Sequence, residues 1–91
     1  LKIYPELVEA KLSSFIPNNF LIASEKDELL GERVILIFEG EMKETSSLAD
    51  AFRKLEPHER PKRVYSLSKF VYTDTGKLKR RDVLRVLQKY K

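Results

Sequence analysis

Apolar residues recur every three to four positions in three parts of the chain, which is the spacing of amphipathic helices. In the first part, over about residues 5–16, the repeating positions are Val8, Leu12, Phe15 and Ile16. In the second they are Leu48, Ala51, Phe52 and Leu55, and in the third they are Val83, Leu84, Leu87 and Tyr90. Pro5 suits a first helical turn, Ser46 or Ser47 can cap the second helix, and Pro57 ends it. We therefore predict three helices.

Continuous apolar runs predict strands between these helices. Residues 20–23 form a short run, and residues 34–38 form a longer one that is rich in β-branched side chains, as in a buried central strand. The polar stretch 25–33 predicts a connection, residues 63–70 an extended segment, and Thr73-Asp74-Thr75-Gly76 a turn. The resulting order predicts a small α+β domain, with a mostly antiparallel sheet and about three helices packed on it.

The composition excludes several kinds of site. Cysteine is absent, so the chain has neither disulfides nor thiolate metal ligands, and His58 is the only histidine. No apolar run approaches the roughly 20 residues that span a bilayer, and the chain does not open with a secretory signal. We therefore expect a soluble, cytoplasmic protein without a metal site of its own.

Charge is distributed unevenly along the chain. Residues 1–59 carry seven basic and twelve acidic side chains, whereas residues 60–91 carry eleven basic and two acidic ones. Such a positive half is commonly a solvated face. It also suits a partner rich in phosphate, which could be a nucleic acid, a nucleotide or coenzyme A.

The sequence Thr75-Gly76-Lys77 could suggest a phosphate-binding loop. A Walker A motif needs a glycine five residues before the Gly-Lys pair and a Ser or Thr after it. Those positions hold Val71 and Leu78, so the phosphate-loop interpretation fails.

A longer segment, residues 70–81, resembles the last signature motif of the adenylate-forming superfamily, Pro-x-Thr-x-Ser/Thr-Gly-Lys-Ile/Leu-x-Arg. That superfamily includes acyl- and aryl-CoA synthetases, peptide-synthetase adenylation domains and firefly-type luciferases. The matching residues are Thr73, Thr75, Gly76, Lys77, Leu78 and Arg80. Val71 stands where the family usually has proline.

Two further segments extend the resemblance towards the start of the chain. Residues 2–9 are similar to the family's K-I-x-P-x-E-[VI]-E stretch, with Leu7 in place of the first acidic residue and Glu9 matching the second. Residues 27–34 are similar to the family's D-x-x-x-G-E-x-V segment. Three segments in the family's order cover nearly the whole chain.

The resemblance implies the C-terminal domain of an acid–CoA ligase that works in two steps. Lys77 would be catalytic, meeting the acyl carboxylate and the α-phosphate of ATP, and the domain would then turn so that coenzyme A can react. Thr75 and Gly76 would shape the turn or contribute to cofactor binding, and Arg80 would meet phosphates of coenzyme A or ATP or belong to a solvated basic face. ATP and coenzyme A are the implied substrates, together with a small carboxylic acid. Mg²⁺ is expected in the full-length enzyme, bound outside this chain.

The start of the chain leads to a related expectation. It begins with Leu1, and its only methionine is Met42. We expect a piece of a longer enzyme, inactive alone, whose partner is its own N-terminal domain and which does not act at a membrane.

Within the superfamily, residues 17–40 and 72–77 are most similar to o-succinylbenzoate–CoA ligases of menaquinone biosynthesis. Fatty-acyl-, acetyl- and aryl-CoA ligases and peptide-synthetase adenylation domains stay open as alternatives. A different class of function is a small basic nucleic-acid-binding domain, which would suit the positive half of the chain and aromatics such as Phe70 and Tyr72. No helix-turn-helix, RNP or zinc-finger pattern is present in the sequence, so nucleic acid is the less favoured partner.

Overall fold

The computed structural model describes residues 2–29, 31–41 and 46–90, with only the backbone of residues 46 and 47. Its elements, in chain order, are helix α1 (Pro5–Leu12), strands β1 (Phe20–Asp27) and β2 (Gly31–Glu39), helix α2 (Ser46–Arg53), a short 3₁₀ helix (Pro57–Glu59), strand β3 (Arg63–Leu67) and helix α3 (Arg80–Lys89). The predicted order of elements and the predicted α+β class are confirmed.

The three strands form one mixed sheet with β2 in the centre. β1 and β2 are antiparallel, with Phe20 opposite Phe38 at one end and Asp27 opposite Gly31 at the other. β2 and β3 form a shorter parallel pair. A parallel pair needs a crossover connection, and the segment that contains α2 and the 3₁₀ helix provides it.

Helices cover both faces of this sheet. On one face the buried core joins the sheet to α1 and α2, through Val8, Leu12, Ile16, Ile22, Val34, Leu36, Ala51 and Leu55. On the other face it joins the sheet to α3, through Leu21, Ala23, Ile35, Ile37, Leu67, Phe70, Val83 and Leu87. Successive side chains of a strand point to opposite faces of the sheet. Because both faces are covered by helices, β2 is apolar at consecutive positions.

The predicted connection over residues 25–33 is wrong, because β1 and β2 continue through most of it. Glu25 lies opposite Arg33 in the ladder, and Arg33 Nε donates a hydrogen bond to Glu25 Oε1 at 2.7 Å. A cross-strand pair of opposite charges stabilises a strand end that has little apolar surface. β2 begins at Gly31, which has a φ of 83°.

The helices also differ in detail from the prediction. α1 ends at Leu12, and the next three residues form a turn in which the N–H of Phe15 donates to the carbonyl of Leu12 at 2.9 Å. α2 ends at Arg53, so Pro57 begins the 3₁₀ helix and does not end α2. The side chains of Ser46 and Ser47, one of which we predict to cap α2, lie outside the part that the structure describes.

The predicted apolar face of α3 needs one correction. Val83 and Leu87 are buried as expected, but Tyr90 follows the end of the helix and is 79% exposed. Val86 packs against the core in its place. Among the helices of the described ranges, none is long and apolar enough to cross a membrane.

Candidate functional site

The segment that carries Lys77 is a short hairpin between β3 and α3. Tyr72 and Leu78 pair across its base as an antiparallel bridge. The N–H of Thr73 donates to the carbonyl of Lys77 at 2.7 Å, and the N–H of Gly76 donates to the carbonyl of Thr73 at 2.9 Å. This pattern is that of a three-residue hairpin loop in which a turn is followed by a left-handed residue.

The backbone conformation of Gly76 and the hydrogen bonds of Thr73 and Thr75 explain why these residues suit the loop. Gly76 has a φ of 88°, a conformation that glycine adopts without the penalty of a side chain. The hydroxyl of Thr73 accepts a hydrogen bond from the N–H of Lys77 at 3.0 Å, and it lies 3.1 Å from the hydroxyl of Thr75. These residues shape the turn, and their predicted contact with a nucleotide stays a prediction.

Lys77 itself is exposed at the end of this hairpin. Among the described residues, no carboxylate forms an ion pair or hydrogen bond with its ammonium group. The neighbouring Lys79 differs, because its Nζ lies 4.0 Å from Asp82 on the first turn of α3. The domain therefore presents the Lys77 charge outward, available to a group on another domain or ligand.

Arg80 occupies a different environment. Its Nη1 and Nη2 donate to the two carboxylate oxygens of Glu9 at 2.6 and 2.5 Å. These hydrogen bonds, with the negative charge of Glu9, raise the pKa of Arg80. Glu9 Oε2 also accepts the N–H of Ile22 at 2.8 Å, so one carboxylate joins α1, β1 and α3. The assignment of Arg80 to a nucleotide stays a prediction, because the structure shows its guanidinium bound to Glu9.

A polar cluster, which we call the Glu39 cluster, lies beneath the hairpin and consists of Asn19, Glu39 and Tyr72. Glu39 Oε2 accepts the N–H of Phe70 at 2.7 Å, while Oε1 accepts the amide of Asn19 at 3.0 Å and the hydroxyl of Tyr72 at 3.1 Å. The Asn19 amide also donates to the Tyr72 hydroxyl at 2.9 Å.

These contacts change the acidity of two groups. The N–H of Phe70 and the amide of Asn19 hold the pKa of Glu39 below its usual range. Partial burial is the largest cause that raises the pKa of Tyr72, and the adjacent carboxylate of Glu39 is the next. Sequence reasoning missed this cluster. Its one available signal was a glutamate that directly follows the apolar run of β2.

The basic half of the chain is mostly exposed. Among the described residues 60–90, the exposed basic side chains are Lys62, Arg63, Lys69, Lys77, Lys79, Arg81, Arg85 and Lys89. The half-buried Arg60 donates to the carbonyls of Phe52 and Leu55, at 3.1 and 3.2 Å. Positive, solvated side chains therefore lie on the hairpin and α3 and at the start of β3.

A metal ion finds no ready set of ligands in the part of the chain that the structure describes. No group of three or more His, Asp or Glu side chains there could hold one. The position of the expected Mg²⁺ outside this chain stays a prediction.

Comparison with solved structures shows which known proteins share this fold. No family model matches the sequence, and no curated protein matches it either. Solved structures do match. One is an AMP-forming acyl-CoA synthetase/AMP-acid ligase II-like protein from Dyadobacter fermentans, 25% identical with a TM-score of 0.84, and the match covers 96% of this chain and 27% of that one.

Two further structures have the same fold. ATP-bound MatB from Rhodopseudomonas palustris is 18% identical with a TM-score of 0.75, over 98% of this chain and 18% of that one. An o-succinylbenzoate CoA synthetase from Bacillus subtilis, bound to a product analogue, is 23% identical with a TM-score of 0.71, over 89% of this chain and 17% of that one.

The chain has the fold of a domain found in AMP-forming acyl-CoA synthetases, and it spans about a quarter or less of the length of these structures. At 23% identity, the match to the o-succinylbenzoate enzyme shows a shared fold and leaves the acid open.

Proposed function

We propose that this chain is the C-terminal domain of an AMP-forming acid–CoA ligase, and that it brings the ammonium group of Lys77 to the reacting groups. The observation that carries this proposal is an exposed lysine, unpaired among the described residues, on a hairpin that is hydrogen-bonded from within. The fold shared with acyl-CoA synthetases supports it.

The charge of Lys77 suits the first chemical step. An oxygen of the acid's carboxylate attacks the α-phosphorus of ATP, the bond to pyrophosphate breaks, and acyl-AMP forms. Two anionic groups must approach each other, so a compact cation between them lowers the repulsion and stabilises the charge that develops. An ammonium group on a flexible stem suits a contact that forms and breaks as a domain moves.

The second step needs Lys77 to leave. The sulfur of the coenzyme A thiol attacks the acyl carbon, the bond between that carbon and the phosphate oxygen of AMP breaks, and a thioester forms. We propose that the domain turns between the two steps and that the larger domain binds ATP, the acid and Mg²⁺. Thr75 and Gly76 serve by keeping the Lys77 backbone in the hairpin geometry.

The particular acid is proposed from the sequence alone. Residues 17–40 and 72–77 are most similar to o-succinylbenzoate–CoA ligases, so o-succinylbenzoate, in menaquinone biosynthesis, is our choice of substrate. A panel of carboxylic acids that includes aryl, fatty and acetyl acids, assayed by acid-dependent pyrophosphate exchange with the full-length protein, tests it. Exchange with another acid and none with o-succinylbenzoate would exclude the choice.

A Lys77→Ala variant of the full-length protein tests the catalytic role. Losing a preorganised electrostatic contact of this kind costs about 10²–10³ in rate. We expect acyl-AMP formation to fall by about that factor and thioester formation from supplied acyl-AMP to stay within about twofold. Lys62→Ala is the matched control, because Lys62 is also exposed and precedes β3. An equal loss in both steps would contradict the role.

A nucleic-acid-binding domain is the second candidate, favoured by the eight basic side chains that are exposed among the described residues 60–90. Such binding would weaken steeply as salt rises, because it releases counterions from the phosphates. A titration with generic DNA at low and moderate salt separates the two functions. Absence of binding at low salt would exclude the second.

A further inference from the structure

The Glu39 cluster lies where the hairpin joins the sheet. Glu39 is the last residue of β2, and its own N–H donates to the carbonyl of Asn19 at 2.8 Å. Its side chain uses both oxygens on the segment that leads to Lys77: one accepts the N–H of Phe70, and the other accepts the hydroxyl of Tyr72. The rigid centre of the sheet is therefore linked directly to the base of the hairpin.

The contact is close to Lys77 along the hairpin. Tyr72 pairs with Leu78, the residue that follows Lys77, so fixing Tyr72 fixes the strand from which the lysine projects. Within the described ranges, the side-chain hydrogen bonds that tie segment 68–78 to the rest of the domain all involve Glu39 or Asn19. Among the described residues, the other polar contacts of Thr73, Thr75, Gly76 and Lys77 lie within the hairpin, and the carbonyl of Val71 accepts the N–H of Lys79 at 2.9 Å.

These contacts suit the task of positioning. Hydrogen bonds to an ionised carboxylate are shorter and stronger than those between neutral groups. Phe70 is buried and packs against the core on the α3 face, so apolar packing and the carboxylate act on the same segment. A misplacement of about 1 Å in a catalytic group can lower the rate about 10²-fold. Contacts that fix the position of the hairpin should therefore keep the rate high.

We propose that Glu39 is a positioning residue for the adenylation step, and that through Tyr72 it holds the hairpin in the orientation that directs Lys77 to the reacting groups. This inference rests on the proposed role of Lys77. It assigns Glu39 and Tyr72 no contact with substrate, and it predicts that thioester formation, in which Lys77 takes no part, does not need them.

The test uses Tyr72→Phe and Glu39→Gln in the full-length protein. Tyr72→Phe removes one hydroxyl and keeps the ring, and Glu39→Gln removes the charge with little change in shape. Tyr65→Phe is the matched control, because the hydroxyl of Tyr65 also donates to a carboxylate, that of Glu25 at 2.9 Å. Glu25 lies near the opposite end of the β1–β2 ladder from Asn19 and Glu39.

Each variant is measured in both half-reactions and in thermal unfolding. Tyr72→Phe loses the hydrogen bond that the hydroxyl donates to Glu39 and the one that it accepts from Asn19, and we expect kcat of acyl-AMP formation to fall about 3- to 10-fold. For Glu39→Gln we expect a fall of about 10- to 100-fold. The KM for ATP and thioester formation from supplied acyl-AMP should each stay within about twofold. Hydrogen exchange of the amides of residues 73–77 should be faster in both variants than in Tyr65→Phe.

Other results overturn the inference. A purely structural role predicts lower thermal stability with kcat of adenylation unchanged, or equal losses in both half-reactions. Lys77→Ala, assayed in parallel, separates this inference from the proposed function. If Lys77→Ala abolishes adenylation while Tyr72→Phe and Glu39→Gln leave it intact, the positioning role alone fails. If Lys77→Ala also leaves it intact, both fail.

Discussion

The guanidinium of Arg80 lies against the carboxylate of Glu9, 71 positions away in the sequence, and donates a hydrogen bond to each of its oxygens. Arg80 is the last matching residue in the last of the three segments that resemble the adenylate-forming superfamily, and Glu9 belongs to the first. The two segments therefore meet in the folded domain, and their charged residues join the first turn of α3 to α1.

Replacement of Arg80 by lysine should destabilise this chain. A lysine keeps the positive charge but cannot make the paired hydrogen bonds of a planar guanidinium. We expect the free energy of unfolding to fall by about 1–3 kcal/mol, as for hydrogen bonds that involve charged groups. Urea denaturation measures it. The control is Arg81→Lys, at a neighbouring exposed position, with an expected change of less than about 0.5 kcal/mol. Equal effects of the two variants would contradict the structural role of Arg80.

The glycines at positions 76 and 31 provide a matched pair of variants. Both have a positive φ, 88° and 83°, and a Cβ added at either meets nothing within 4 Å. Alanine at each should therefore cost about 1–2 kcal/mol from backbone strain alone. In the full-length protein, Gly76→Ala should also slow acyl-AMP formation, because it disturbs the hairpin of Lys77. Gly31→Ala should leave that step unchanged. Similar kinetics for the two variants would show that the hairpin geometry is unimportant.

Glu59 should make the stability of the chain depend on pH in the acid range. Hydrogen bonds from the Lys11 ammonium and from the N–H of Glu56 hold the pKa of Glu59 below its usual range, which is about 4.3 for an ordinary glutamate. The folded state therefore binds this proton less readily than the unfolded chain. The stabilisation is complete above the unfolded pKa and is lost as pH falls through the lower folded pKa.

Two variants test this dependence on pH. Glu59→Gln should reduce the loss of stability between about pH 5 and pH 2. Part of that loss should remain, because the pKa of Glu39 is also lowered in the folded state. Lys11→Gln removes the largest cause and should shift the loss towards higher pH. Urea denaturation over a series of pH values gives both results. If the free energy of unfolding of Glu59→Gln falls with pH as steeply as that of the original protein, this carboxylate is not a source of the pH dependence.

The apolar pattern was enough to predict the order of elements and most of the core. The run from Val34 to Ile37 predicts a strand, and the structure buries it between helices on both faces. The strand ends could not be predicted in the same way. Glu25 and Arg33 look like loop residues in sequence, because the stabilising contact is with each other across the ladder. The exposed Tyr90 fits the helical spacing but follows the last turn of α3.

The candidate site was predictable only where a local motif carries it. Lys77 stands in such a motif and its side chain is exposed, while its catalytic role stays a prediction. The contact between Arg80 and Glu9 depends on how α1 and α3 pack, which no local pattern specifies. Glu39 was missed for the same reason: its partners Asn19 and Tyr72 are 20 and 33 positions away.

Strand β1 forms one edge of the three-stranded sheet. An open edge offers free N–H groups to a strand of another molecule and is a common starting point for aggregation. At Ile22 that donor is already taken by the carboxylate of Glu9, at 2.8 Å. An incoming strand would have to displace a negative charge that Arg80 also holds in place. The carboxylate that joins α1 to α3 thus also occupies a backbone donor that strand addition at this edge would need.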